Sequence, residues 1–281
     1  MSRRSRCRLV VLAAGAVLGA TAGVARAVLV SPLAIFMDAR ARTAEIVLAN
    51  TTSTAEEVTI DLRYGFSTTD TNESPMMPSF APESVSAEAP SAARFTRVFP
   101  RRVVLAPGQS QTVRLFASPS PLLPDGEYWA RFLALTKKLP DTTRAAEGTQ
   151  VGVSFAVVTS IPLWYRKGAV TTSIAMDSLT ASVAVDTLRA RIVLARGGNA
   201  SWLGTTTFAL LDAGGRPVRE WRVPMSIYQP RYRRRFAWPL ERLAPGTYSL
   251  VATMAAVRVD LQKSDVLPAA EFKAHTQVTV P

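Results

Sequence analysis

Residues 148–166 read Gly-Thr-Gln-Val-Gly-Val-Ser-Phe-Ala-Val-Val-Thr-Ser-Ile-Pro-Leu-Trp-Tyr-Arg. Val151, Val153, Phe155 and Val157 stand two apart, with Gly152, Ser154 and Ala156 between them. Side chains along a strand alternate between faces, so this spacing predicts a β-strand with one apolar face and one nearly bare. An alternating strand ordinarily buries its apolar face in its own core. The same face could instead be offered to another chain, and the spacing does not separate the two.

The sequence around this stretch follows the same pattern. Glu45 to Leu48 and Val58 to Leu62 alternate, with the polar turn Asn50-Thr-Thr-Ser-Thr between them. Arg101 to Leu105 leads into Pro107-Gly108, a type II turn signal, and alternation resumes at Thr112 to Phe116. Tyr128 to Leu135 is a further strand, followed by a polar stretch from Thr136 to Gln150. No sustained helical period interrupts this series, so the predicted class is all-β. Leu105-Ala-Pro-Gly108 is echoed by Leu243-Ala-Pro-Gly246, each ahead of a strand, which suits two sandwiches joined near Arg166-Lys-Gly168. The Ser/Thr/Pro/Ala/Glu-rich segment 67–93 has few large apolar residues and reads as a mobile, solvated insertion in the first domain.

Compartment and chemistry follow from what the chain carries and lacks. Arg3, Arg4, Arg6 and Arg8 precede an apolar run from Leu9 to Ala22, and Ala25-Arg-Ala27 supplies the small residues of a signal-peptidase site. The run is shorter than the roughly 20 residues of a membrane span, so the expectation is a leader at 1–27, export to the periplasm and no stable membrane insertion. The single cysteine, Cys7, lies in that leader, which leaves no thiol for a disulfide or a nucleophile. His275 is the only histidine and no cysteine lies beyond the leader, so a Cys/His zinc site cannot be assembled within one molecule. No P-loop, dinucleotide fingerprint or nucleophile elbow occurs, and the chain reads as a non-enzyme with no catalytic residue, metal or cofactor. The formal charge of +12 includes five arginines of the leader, leaving about +7 beyond it, a mild basic bias that does not point to nucleic acid. The run Arg231-Tyr-Arg-Arg-Arg-Phe236 reads as a strand with Tyr232, Arg234 and Phe236 on one face and solvated Arg231, Arg233 and Arg235 on the other.

Five segments together resemble the periplasmic pilus-assembly chaperones of chaperone–usher systems. They are Val30-Ser-Pro-Leu-Ala-Ile-Phe-Met-Asp38, Ile46-Val-Leu-Ala-Asn50, the stretch from Pro100 to Leu115, Leu123-Pro-Asp-Gly-Glu-Tyr-Trp-Ala-Arg-Phe132, and the stretch 148–166. Order and spacing match over most of 28–167, whereas 168–281 shows only an immunoglobulin-like β pattern.

The resemblance implies two immunoglobulin-like sandwiches in a boomerang arrangement, 28–167 and 168–281. It implies pilin-like subunits as clients and an outer-membrane usher as a further partner. Val151, Val153, Phe155 and Val157 match the family's donor residues, lent to a subunit by β-strand addition. Glu127 and Arg166 match an acid and an arginine that the family uses as an ion pair between domains. Where the family clamps the subunit's terminal carboxylate with an arginine and a lysine, this chain has Leu33 and Pro162, neither of which can donate a charge-assisted hydrogen bond. Another cation could replace them, the strand could hold the client by itself, or the protein could have left pilus assembly. The alternative function is a structural or adhesive two-domain protein with no chaperone cycle.

Overall fold

The computed structural model describes residues 28–139 and 156–281. The expected leader, and Val151, Val153 and Phe155, lie outside the described residues. The chain is all-β, and the described residues contain no α-helix, only short 3-10 turns between strands.

Two β-sandwiches account for the strands. In the first, a four-stranded sheet runs Leu29–Ser31, Thr43–Ala49, Ser110–Ala117, Thr96–Phe99. It faces a sheet ordered Ile35–Asp38, Ala156–Lys167, Gly126–Lys138, Glu56–Gly65, Ser79–Phe80, with Arg102–Leu105 also paired to Glu56–Gly65. The N-terminal segment thus contributes to both sheets, crossing from one to the other between Ser31 and Ile35. Alternation puts Ile46, Leu48, Val113 and Leu115 from one sheet against Ile60, Phe132, Ile161 and Leu163 from the other.

The second sandwich packs a three-stranded sheet (Thr172–Ala184, Thr187–Gly198, Arg231–Pro239) on a four-stranded one (Pro217–Ile227, Trp202–Leu211, Gly246–Ala255, Phe272–Val280). Seven strands split three and four are the immunoglobulin arrangement. Trp202, Phe208, Leu188 and Ile192 centre its core.

The internal echo lies elsewhere than the sequence suggested. Gly108 turns with φ +74°, ahead of the strand Ser110–Ala117. The structural counterpart of Gly246 is instead Gly126. Both open a long strand at φ near +155° (157° and 155°), and a tyrosine follows each two residues later. Tyr128 donates its hydroxyl to the Pro124 carbonyl at 2.7 Å, and Tyr248 donates to the Ala244 carbonyl at 2.8 Å. This is the tyrosine corner of immunoglobulin-like sandwiches, present once in each half. The matching tetrapeptides are therefore Leu123-Pro-Asp-Gly126 and Leu243-Ala-Pro-Gly246, related by geometry rather than by identical letters.

Candidate functional site

The strand Ala156–Lys167 pairs along its whole length with Gly126–Lys138, from Ala156 opposite Lys137 to Lys167 opposite Gly126. On its other side, the parallel partner Ile35–Asp38 covers only Leu163 to Arg166. From Ala156 to Pro162 that outer edge has no strand partner among the described residues. Pro162, which lacks an N–H, sits at the point where the parallel pairing stops, an edge position that tolerates proline.

Side-chain burial changes along the same strand. Tyr165, Leu163 and Ile161 point into the first core, each 1% exposed. The next residues in that row are Thr159, half-buried, and Val157, 43% exposed. The opposite row does the same, from Trp164 at 2% to Val158 at 57%. An apolar row that begins in the core therefore runs out of it. Val157 shares its face with the core residues Ile161, Leu163 and Tyr165 and is the exposed end of that row among the described residues. Of the four residues expected on the donor face, the structure places only Val157.

At the far end of this strand, the two sandwiches meet around Glu127. Glu127 and Arg166 are register partners on adjacent strands of the first sandwich, with Arg166 Nε 2.9 Å from Glu127 Oε2. Glu127 also accepts hydrogen bonds from Trp129 Nε1 at 2.8 Å, from the Ser201 N–H at 3.0 Å and from the Ser201 hydroxyl. Its own N–H donates to the Asn199 carbonyl at 3.1 Å. Arg166 in turn donates to the Asp265 carbonyl at 2.7 Å. The ion pair itself lies within the first sandwich, and each of its members then reaches separately into the second. A buried charge satisfied in this way fixes geometry more than it adds net stability. Gly168 forms the connection with φ +61°, where a Cβ would stand 2.0 Å from the Asp125 carboxyl carbon.

Aromatic rings fill the rest of the junction. Tyr64, Trp129 and Trp164 of the first sandwich pack with Leu203 and Tyr228 of the second. Phe36 stacks on Trp164 at 4.5 Å, Trp164 lies parallel to Tyr228 at 6.4 Å, and Arg166 covers Phe36 at 5.2 Å. Burial pushes the Tyr228 phenol far above its ordinary range, so it stays neutral.

The 67–93 segment corrects an expectation. It is docked, not a free solvated loop. Its hairpin, Thr68–Thr69 paired with Pro75–Met76, reaches the second sandwich. Thr68 Oγ1 meets Gln229 Oε1 at 2.9 Å, and Thr69 Oγ1 donates to the Arg233 carbonyl at 2.8 Å. Arg191 holds Glu73 through both carboxylate oxygens, at 2.7 and 2.5 Å, and the Arg235 N–H donates to the Glu73 carbonyl at 3.1 Å. A polar segment reads as solvated only while its partners are unknown, and here those partners lie more than a hundred residues away in sequence.

Leu33 is 73% exposed and carries no charge to the edge. The residue opposite Pro162 is Arg131, which sequence reasoning did not select. Arg131 is 4% exposed; its guanidinium donates to Ser67 Oγ at 3.1 Å, and its Nε has no partner among the described residues. Burial lowers its pKa from the ordinary arginine value. An arginine inside a strand pattern looks like an outward-facing residue, yet here it is buried with its guanidinium on Ser67.

No protein-family model matches the sequence, and no curated protein matches it. Solved structures do. The chain is similar to the CsuC–CsuE chaperone–tip adhesion subunit pre-assembly complex from archaic chaperone–usher Csu pili of Acinetobacter baumannii, with 17% identity, TM-score 0.41, and 75% of this chain and 90% of that chain covered. It is similar to the Pseudomonas aeruginosa CupB2 chaperone at 13% identity and TM-score 0.43, covering 89% of this chain and 100% of that one. For the Salmonella enterica SafA pilin in complex with the SafB chaperone, the values are 12%, 0.42, 89% and 96%.

Proposed function

We propose that the protein is a non-enzymatic periplasmic chaperone for fimbrial or pilin-like subunits, holding them by strand addition before handing them to an outer-membrane usher. The observation that carries this reading is the half-open strand Ala156–Lys167, whose core-facing row runs from Ile161 at 1% exposure to Val157 at 43%. The resemblance of 28–167 to the pilus chaperones supports it.

An incoming subunit lacking one strand would pair its backbone with the unpartnered edge and receive Val157, Phe155, Val153 and Val151 in its groove. Phe155 is the largest of the four and the main anchor. Main-chain ladder bonds hold such a client generically, while the alternating side chains select for groove shape. The Glu127–Arg166 pair and the aromatic junction hold the second sandwich against the base of this strand and fix the walls of the cleft that a client enters. With Leu33 and Pro162 at the edge, anchoring rests on the strand more than on a carboxylate clamp.

The test is Phe155→Ala in a strain that also expresses a pilin-like subunit encoded beside the gene. Burying one such side chain contributes about 1.5–3 kcal/mol, so subunit recovery on the tagged chaperone should fall roughly tenfold or more. The melting temperature of the free protein should hardly change. A collapse in melting, with the remaining folded protein still carrying its subunit, would assign Phe155 to the protein's own core and remove the donor role. A protein that copurifies with no small β-rich chain at all would favour the structural or adhesive alternative.

A further inference from the structure

The arginine run of the second sandwich forms a surface that strand donation does not use. Arg231, Arg233 and Arg235 lie on one face of the edge strand Arg231–Pro239. The neighbouring strand places Arg191 directly opposite Arg235, and Arg189 follows on the same side. Cross-strand partners and residues two apart share a face, so five guanidinium groups line one side of this sheet. Like charges set directly opposite each other destabilise a ladder, which a surface needing only solubility would avoid.

One carboxylate relieves the repulsion, and it comes from the other sandwich. Glu73 is gripped through both oxygens by Arg191 and lies 3.3 Å from Arg235 Nε, while its carbonyl accepts the Arg235 N–H. Arg231 meets Asp177 at 3.3 Å. Arg189 and Arg233 form no ion pair among the described residues. A groove of about 640 Å³ continues along this face beside Ser74, Thr180, Ser182 and Ala237.

We propose that this face docks an acidic polypeptide segment in extended conformation, and that Glu73 is a resident instance of the contact. The arrangement takes a carboxylate in a two-oxygen fork and a main-chain carbonyl beside it, as an acidic peptide offers and a lipid headgroup does not. The exposed side chains between the arginines are hydroxyls and alanine, without the apolar anchors of a membrane surface. Glu73 engages two of the five arginines and Asp177 a third, so Arg189 and Arg233 remain for a partner's acids.

A fluorescein-labelled peptide of alternating glutamate and threonine, titrated with the full-length protein at low salt and read by anisotropy, tests this. Binding should weaken as sodium chloride is added. Arg189→Gln combined with Arg233→Gln should weaken it roughly tenfold, with melting unchanged because both side chains are exposed. Glu73→Gln should tighten it several-fold by releasing Arg191 and Arg235. Unchanged affinity in the double variant overturns the proposal, as does unchanged or weaker affinity in Glu73→Gln. Phosphatidylglycerol vesicles that bind as firmly as the peptide would overturn it in favour of a membrane contact. Should the double variant fail to fold, the gain expected from Glu73→Gln decides by itself. Client recovery is not read in any arm, so the result stands apart from the donor-strand test.

Discussion

The fold treats two of its open sheet edges oppositely: the outer edge of Arg231–Pro239 and the uncovered first half of Ala156–Lys167. Arg231–Pro239, in the second sandwich, is crossed by a hairpin from the first, which takes up its main-chain groups at Arg233 and Arg235. Its outward residues are arginines. Ala156–Lys167, in the first sandwich, has no strand on its outer side from Ala156 to Pro162 among the described residues, and it shows valines there. Covering an edge and charging it are the usual protections against unwanted pairing. One edge has both and the other has neither, and the strand addition proposed above would use the second.

The largest expected effect comes from the element that joins the two regions. Glu127→Ala leaves Arg166, whose side chain is only 14% exposed, without its carboxylate, and orphans Trp129 Nε1 and Ser201. It should cost about 3–5 kcal/mol in a urea titration. Arg166→Ala added to it should cost less than the sum of the single changes, since the two residues are coupled. Strict additivity would show that the junction does not depend on the pair.

A smaller effect should appear at the protected edge on acidification. The hydrogen bond from Arg191 holds the Glu73 carboxyl below its ordinary pKa. A depressed folded pKa gives stability that is present above the unfolded value, about 4.3, and lost as pH falls through the folded one. The protection factors of the amides in 68–76, measured against their intrinsic exchange rates, should therefore fall as pH drops below about 4 in the native chain. In Glu73→Gln protection should be low at all pH values. Equal protection in both proteins would mean that the hairpin is held by Thr68 and Thr69 without the carboxylate.

The smallest stability change belongs to the open edge. Val157→Ala should move the unfolding free energy by no more than about 0.5 kcal/mol, because a side chain this exposed leaves no cavity behind. A loss of several kcal/mol would place Val157 in a packed core and erase the contrast between the edges.

Local pattern made much of this legible. Period-two alternation and turn residues predicted the strands around 45–62, 101–116 and 128–135, because each strand carries its own two faces in its own letters. The faces of the 231–236 run were readable for the same reason. Glu127 and Arg166 were selected by family resemblance; their contacts with Ser201 and Asp265 were not legible, since no local rule relates residues so far apart. The Gly126–Tyr128 and Gly246–Tyr248 corners were missed because identical letters at 105–108 drew attention to the wrong turn.

By itself, the sequence determined the all-β class, the alternation of the 151–157 stretch and the scarcity of catalytic side chains. These are properties of composition and near neighbours, where burial of one face follows from spacing alone. Only the tertiary structure decided that the apolar row leaves the core at Val157, that Arg131 is buried opposite Pro162, and that the polar 67–93 segment is docked. Burial and pairing at those places depend on which distant segment comes to lie alongside, and long-range packing is not written in any one stretch of chain.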